Sequence, residues 1–135
     1  MVAWKMNSSE VRKKTIANIH ESEFKFVIVS SGGGSNAIGN LLKVPGASNS
    51  ILEAYIPYAK ESLDFYLMKK PESYCSLDTT TRMAARAYSA AKKIDQKTNI
   101  EQLFGVAISA TFSTNYDKKG SHRFHIAVQT RDFSQ

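Results

Sequence analysis

Residues 26 to 48, FVIVSSGGGSNAIGNLLKVPGAS, set two serines and three consecutive glycines between an apolar strand and a helical stretch. Glycines let backbone N–H groups come close to a ligand, and a following helix N-terminus adds partial positive charge. Ser31 on such a turn is a candidate nucleophile or anion-binding hydroxyl. The N–H groups of Gly32, Gly33, Gly34 and Ser35 would then be donors to an oxyanion or a phosphate. A tight turn with no ligand fits the same residues equally well. Two nucleotide motifs fit less well. Gly34 and Gly39 have P-loop spacing, but Asn40 stands where the motif needs its lysine. Gly32, Gly34 and Ala37 match a dinucleotide fingerprint, yet Glu53 lies inside SILEAYI rather than at that strand's C-terminal end, where it would meet a ribose.

Other reactive side chains carry weaker signals. His122 and His125, three apart on a strand, fall on opposite faces, and no Asp, Glu or Cys is placed to complete a metal site with them. Arg123 is expected to point away from both histidines, either to meet a phosphate near the sheet's end or to be solvated at its edge. His20 ends a helix, where positive charge suits the helix dipole. Cys75, the single cysteine, excludes an internal disulfide and reads as a buried, inert thiol.

The elements that must position these groups follow from periodicity and punctuation. NSSEVRKKTIANIHES reads as an amphipathic helix with Asn7 and Glu10 at capping-box spacing and Val11, Ile16 and Ile19 on one face. FKFVIVS is a buried strand, SNAIGNLLKV a helix stopped by PGAS, NSILEAYIPY a strand, and AKESLDFYLM a helix ended by Pro71. Ser76 or Asp78 can cap LDTTTRMAARAYSAAKKI, whose Met83, Ala84, Ala87, Tyr88 and Ala91 form a narrow stripe suited to close packing on a sheet. QLFGVAISATF and HRFHIAVQT are the last two strands. STNYDKKGS between them predicts an antiparallel hairpin. The order α-β-α-β-α-α-β-β predicts a three-layer α/β/α sandwich around a mixed, mostly parallel sheet.

At 135 residues, with 42% hydrophobic and 22% charged residues, residues 1–135 read as one domain. The net charge of +6 suits phosphate-bearing ligands. Its scattered distribution, without aromatic-basic motifs, argues against nucleic acid. No stretch has the length of a secretory signal core or a membrane helix, so a cytoplasmic setting is expected.

The spacing also resembles the C-terminal domain of the CinA (competence/damage-inducible) family, whose active members are nicotinamide-mononucleotide deamidases. That family has a strand ending in Glu-Ser-Cys-Thr-Gly-Gly, a short helix, and a Val/Ile-Pro-Gly-Ala/Ser-Ser turn. A strand ending in Tyr-Ser-Asn and a helix bearing a lysine follow. Counting back from VPGAS puts Ser31 on the family serine, Gly33 on its threonine, and Gly34 and Ser35 on its glycines. Tyr58 of IPYAK falls on its tyrosine, YCSLDTTTRMAARAY resembles its next helix start, and GVAISATFS and KKGSHRFHIAVQT resemble its last strands. The likeness runs from about residue 8 to residue 130, and a divergent branch with Gly-Gly-Gly-Ser and Gly-His-Arg is similar in the same places. Members of that branch often carry the module beside a nucleotidyltransferase domain, which implies such a functional partner.

The resemblance implies a hydrolase of NAD metabolism that cleaves the amide of a pyridine nucleotide without metal or cofactor, Ser31 being the nucleophile. Gly32 to Ser35, Tyr58, Ser109, Thr111 and Arg123 would bind substrate. The chain departs from the family where the base should stand: Leu63 occupies the lysine's place, and a leucine cannot accept a proton. Lys60, three residues earlier, lies on the same side of a helix if one has begun, and is the candidate base; a surface lysine is the alternative. Two functions therefore remain open: an amidohydrolase, or a catalytically degenerate nucleotide-binding or structural module. The family's usual helix after its last strand has no counterpart in this sequence. One sheet face is therefore expected to be bare and to be hidden in a homodimer.

Overall fold

The computed structural model describes residues 7–111 and 122–135. Helix α1 (Ser8–Glu21) opens on a complete capping box: Asn7 Oδ1 accepts the Glu10 N–H at 2.8 Å, and Glu10 Oε2 accepts the Asn7 N–H at 3.1 Å. Strand β1 (Lys25–Gly32) runs into α2 (Ser35–Lys43), then β2 (Ile51–Tyr55), α3 (Lys60–Leu67), α4 (Leu77–Ile94), β3 (Leu103–Thr111) and β4 (Arg123–Gln129). This is the element order predicted from periodicity. Strand β2 is shorter than NSILEAYIPY, because residues 47–49 form a 3-10 turn and Pro57, which has no N–H to give a ladder, lies beyond its end. The turn segment STNYDKKGS lies outside the described residues.

The four strands lie in the order β2-β1-β3-β4, with β1 parallel to both neighbours and β4 antiparallel to β3. One face carries Val27, Val29 and Ala107 and is covered by α3 and α4 through Leu63, Met83, Ala84, Ala87 and Ala91. The other carries Phe26 and Ile28 and is covered by α2 through Ile38, with Ile19 of α1 packed against the cluster. Helices on both faces of a mixed sheet make the expected α/β architecture.

Packing on the α4 face is close because of its small residues. A Cβ added to Gly105 of β3 would stand 2.3 Å from the Ala84 carbonyl oxygen and 2.3 Å from the Tyr88 nitrogen, so glycine is what lets the helix touch the strand. Ser76 caps this helix, its hydroxyl accepting the Thr79 N–H at 3.1 Å. Val11, expected on the buried stripe of α1, is 48% exposed. Near its C-terminal end α1 is pinned by His20, whose Nδ1 lies 2.5 Å from the Ser50 hydroxyl and whose Nε2 lies 2.8 Å from the Leu41 carbonyl. A carbonyl only accepts, so Nε2 donates to Leu41, and in the neutral tautomer that this requires Nδ1 accepts from Ser50. His20 and Ser50 are both buried, and the pair ties α1 to the residue between the VPGAS turn and β2. Arg123 and His125 stand two apart on β4 and therefore share a sheet face, against the expectation that Arg123 points away from both histidines.

Candidate functional site

Strand β1 leads through α2 to β2 on one side, whereas β3 leads to β4 on the other. The chain thus parts in opposite directions beyond the C-terminal ends of β1 and β3, the switch point where open α/β sheets take ligands. The serine turn stands there. Ser31 is paired in register with Ser109 of β3, and Ser109 with His125 of β4, so the three form one row across the α3/α4 face. Thr111 and Arg123 are opposed one rung further on, where the Thr111 hydroxyl receives the Arg123 N–H at 3.4 Å.

The glycines have distinct tasks. Gly32 and Gly34 adopt φ of +75° and +104°, a left-handed backbone that side chains resist. A Cβ on Gly32 would lie 2.1 Å from the Ala110 carbonyl oxygen. That oxygen accepts the Gly33 N–H at 3.0 Å, and the Ser30 hydroxyl donates to the Gly33 carbonyl at 3.0 Å. The turn is locked to β3 by its own backbone, so the Gly33 N–H is spent on structure. Gly34 then opens α2 with no side-chain cap, leaving the first N–H groups of that helix, at Ser35 and Asn36, directed outward at its positive end.

Ser31 is 8% exposed, and its hydroxyl makes no hydrogen bond among the described residues. Leu63, at the place of the family lysine, is 1% exposed and sits in the core against Val27, Val29 and Met83. Lys60, the first residue of α3, is exposed, and its ammonium lies 5.5 Å above the centre of the Tyr74 ring. That is cation–π range. Tyr74 also accepts the Ser109 hydroxyl on its carbonyl at 3.3 Å, so it connects Lys60 to the Ser31–Ser109 row. Desolvation, and then the neighbouring carboxylates of Asp64 and Glu61, hold the Tyr74 phenol above its ordinary pKa. Tyr58 is 77% exposed on the link between β2 and α3.

Most of the proposed residues therefore lie at one end of the sheet: Ser31, Gly32 to Ser35, Ser109, Thr111, Arg123 and, through Tyr74, Lys60. Tyr58 is not drawn into the row. Sequence reasoning missed Tyr74 and His125. Tyr74 lies on a loop without periodicity, its nearest signal being the Ser76 cap. His125 was weighed as a metal ligand, and only the β3–β4 register sets it beside Ser109. Cys75 is buried, its sulfur 3.9 Å from the Arg123 carbonyl oxygen. No group of three or more His, Cys, Asp or Glu able to hold a metal occurs among the described residues. No helix among them is long and apolar enough to cross a membrane.

No family model and no curated protein matches the sequence. Solved structures do. The competence/damage-inducible protein CihA from Agrobacterium tumefaciens superposes with a TM-score of 0.68 at 16% identity, over 100% of this chain and 82% of its own. A CinA-superfamily protein from Enterobacter cloacae matches at 0.67 and 14% over 100% and 80% of the two chains, and one from Escherichia coli at 0.66 and 9% over 100% and 79%. This likeness is one of fold, shared with solved CinA-superfamily structures. At these identities it carries the fold and no activity.

Proposed function

We propose that this CinA-type protein binds a small anionic ligand of the nucleotide class at the β1–β3 switch point, and that Ser31 does not hydrolyse amides. The burial of Leu63 carries the second half. A serine hydroxyl needs an adjacent base to attack a carboxamide, and the α3 side chain at the family's lysine position is a core hydrocarbon. Lys60 is held over the Tyr74 ring instead, where an ammonium serves as a point charge for phosphate. The uncapped start of α2, Lys60 and Arg123 supply positive charge around the strand ends, and Ser31, Ser109 and Thr111 supply hydroxyls.

A pyridine nucleotide is the first ligand to try. Calorimetric titration with nicotinamide mononucleotide is expected to show binding that weakens in Lys60→Ala and Arg123→Ala. Ammonia release on prolonged incubation is expected to stay at the level of the buffer. Release above that level and abolished by Ser31→Ala would replace this reading with the amidohydrolase one, with Lys60 as base. A titration that shows no binding, together with no ammonia release, would refute nucleotide recognition at this end of the sheet.

A further inference from the structure

Strand β2 does not pair with β1 residue for residue. Phe26 stands beside Ile51 but Val27 beside Glu53, so Leu52 is an extra residue that makes a β-bulge. The bulge re-aims the side chains that follow. Glu53 and Tyr55 lie beside Val27 and Val29, which face α3 and α4. An unbroken register would set Glu53 beside Ile28, on the α2 face, and carry Tyr55 there with it. On α4, Arg86, Ser89, Ala90 and Lys93 recur at helical spacing next to the small-residue stripe that packs on the sheet. With Tyr55 and Tyr66 they line a cleft of about 270 Å³. The two rings wall it, 5.5 Å between centres and tilted by 49°, and the short Ala90 side chain leaves the space open. None of these six residues belongs to the serine turn or to the row beside it.

The cations of this cleft are oriented but not neutralised. Arg86 Nε donates to the Tyr66 carbonyl at 2.9 Å, and the guanidinium carbon lies 5.8 Å from the Tyr66 ring centre. That holds the group in place and leaves both Nη atoms, a planar fork that matches a carboxylate. Neither Arg86 nor Lys93 has an ion-pair partner among the described residues. Burial pushes the Tyr66 phenol up to about 12, with Arg86 opposing the shift and Glu53 adding to it, so it stays a neutral donor. Its hydroxyl reaches only the Met83 carbonyl, at 3.5 Å, the long limit of a hydrogen bond. Arg86 and Lys93 stand two turns apart, about 10 Å along the helix axis, with Ser89 between them.

We propose that this cleft binds a monocyclic aromatic acid with acidic groups at opposite ends of its ring. One group would meet the Arg86 fork and the other Lys93, with the ring against Tyr55 and Tyr66. Two separated cations match a dianion whose charges are separated alike, and tyrosine faces favour a flat ring over a puckered one. The volume lies just below the ~300 Å³ at which sites for larger ligands begin, so one ring fits and a dinucleotide does not. This site is additional to the one at the strand ends and does not depend on it.

Titration of benzene-1,4-dicarboxylate into the isotope-labelled 135-residue chain, followed by backbone amide NMR shifts, tests this. Saturable shifts are expected at Tyr55, Tyr66, Ser89 and Ala90, with a Kd of about 1 mM, as suits so small a ligand. Benzoate lacks the group for Lys93, and trans-cyclohexane-1,4-dicarboxylate lacks the flat ring. Each should bind at least about fivefold more weakly. Arg86→Gln and Tyr55→Leu should each weaken the dicarboxylate about tenfold, circular dichroism showing the fold intact. Lys93→Gln should bind it no better than the parent binds benzoate. Absence of saturation, equal binding of the three acids, shifts centred on Gly32 to Ser35 instead of the cleft, or full affinity in Arg86→Gln would overturn the site.

Discussion

Gly105→Ala offers a severe test of how α4 is seated. The added methyl would meet backbone on two sides, at 2.3 Å from Ala84 O and Tyr88 N and at 2.9 Å from Ala87 C. Backbone atoms cannot swing aside as a flexible side chain does. Restoring ordinary contact requires the helix to retreat by about 1 Å, and a gap of that size forfeits a quarter to a half of each dispersion well along the interface. Ala84, Ala87, Ala91 and Met83 all lie on that interface and are fully buried. The cost should reach the top of the usual overpacking range, about 3 kcal/mol. For a chain of this size it corresponds to a fall in Tm of roughly 10 °C. Gly39→Ala is the internal control with opposite sign. Gly39 lies within α2 with nothing inside 4 Å of an added Cβ, so alanine there should stabilise by about 0.5–1 kcal/mol through helix propensity. Urea unfolding of the two variants measures both. A Gly105→Ala protein within about 0.5 kcal/mol of the parent would refute the argument, since surface substitutions already stay in that band.

Ser50→Ala should cost about 1–3 kcal/mol in urea unfolding, because it leaves the buried His20 Nδ1 without its donor. In a His20→Ala background, which has already lost the Ser50 contact, Ser50→Ala should cost less than it does alone, the mark of one shared interaction. Leu63→Lys, which restores the family's residue type, would bury an ammonium among Val27, Val29 and Met83. Burial lowers a lysine's pKa, so the loss of stability should be large at neutral pH and shrink as pH rises toward the unfolded lysine value of ~10.4; an equal loss at both pH values would argue that the ammonium reaches water. Asp95 accepts from the Thr98 hydroxyl at 2.6 Å and the Thr98 and Lys97 N–H groups, with Lys25 at 3.8 Å, and these hold its pKa below the ordinary 3.8. Its stabilising effect is therefore present above pH 3.8 and lost as pH falls through the lower folded value, and acid titration of Asp95→Asn should lack that component.

Much of this architecture is written locally. Asn7 with Glu10, Ser76 before its helix, Pro71 after α3 and the glycine turn after VIVS announce their elements because caps, turns and periodicities act within a few residues of themselves. The small-residue stripe of α4 likewise foretold close packing on the sheet. Val11 did not follow its stripe, since the sheet is reached by only part of the α1 face. The site was legible as a set of residue types at one turn, but not as a set of contacts. Gly33's N–H looked free as a ligand donor until β3 brought the Ala110 carbonyl to it. Lys60 was legible as a lysine near the turn, but that its ammonium lies over the Tyr74 ring was not.

The sequence by itself determined the elements, their order and the identity of the serine turn, because those depend on backbone preferences and near-neighbour chemistry. The tertiary structure decided the strand order β2-β1-β3-β4, the row Ser31–Ser109–His125 and the cleft between Tyr55, Tyr66 and Arg86. These join residues up to 94 positions apart, and no local pattern encodes which distant strand will supply the next hydrogen bond.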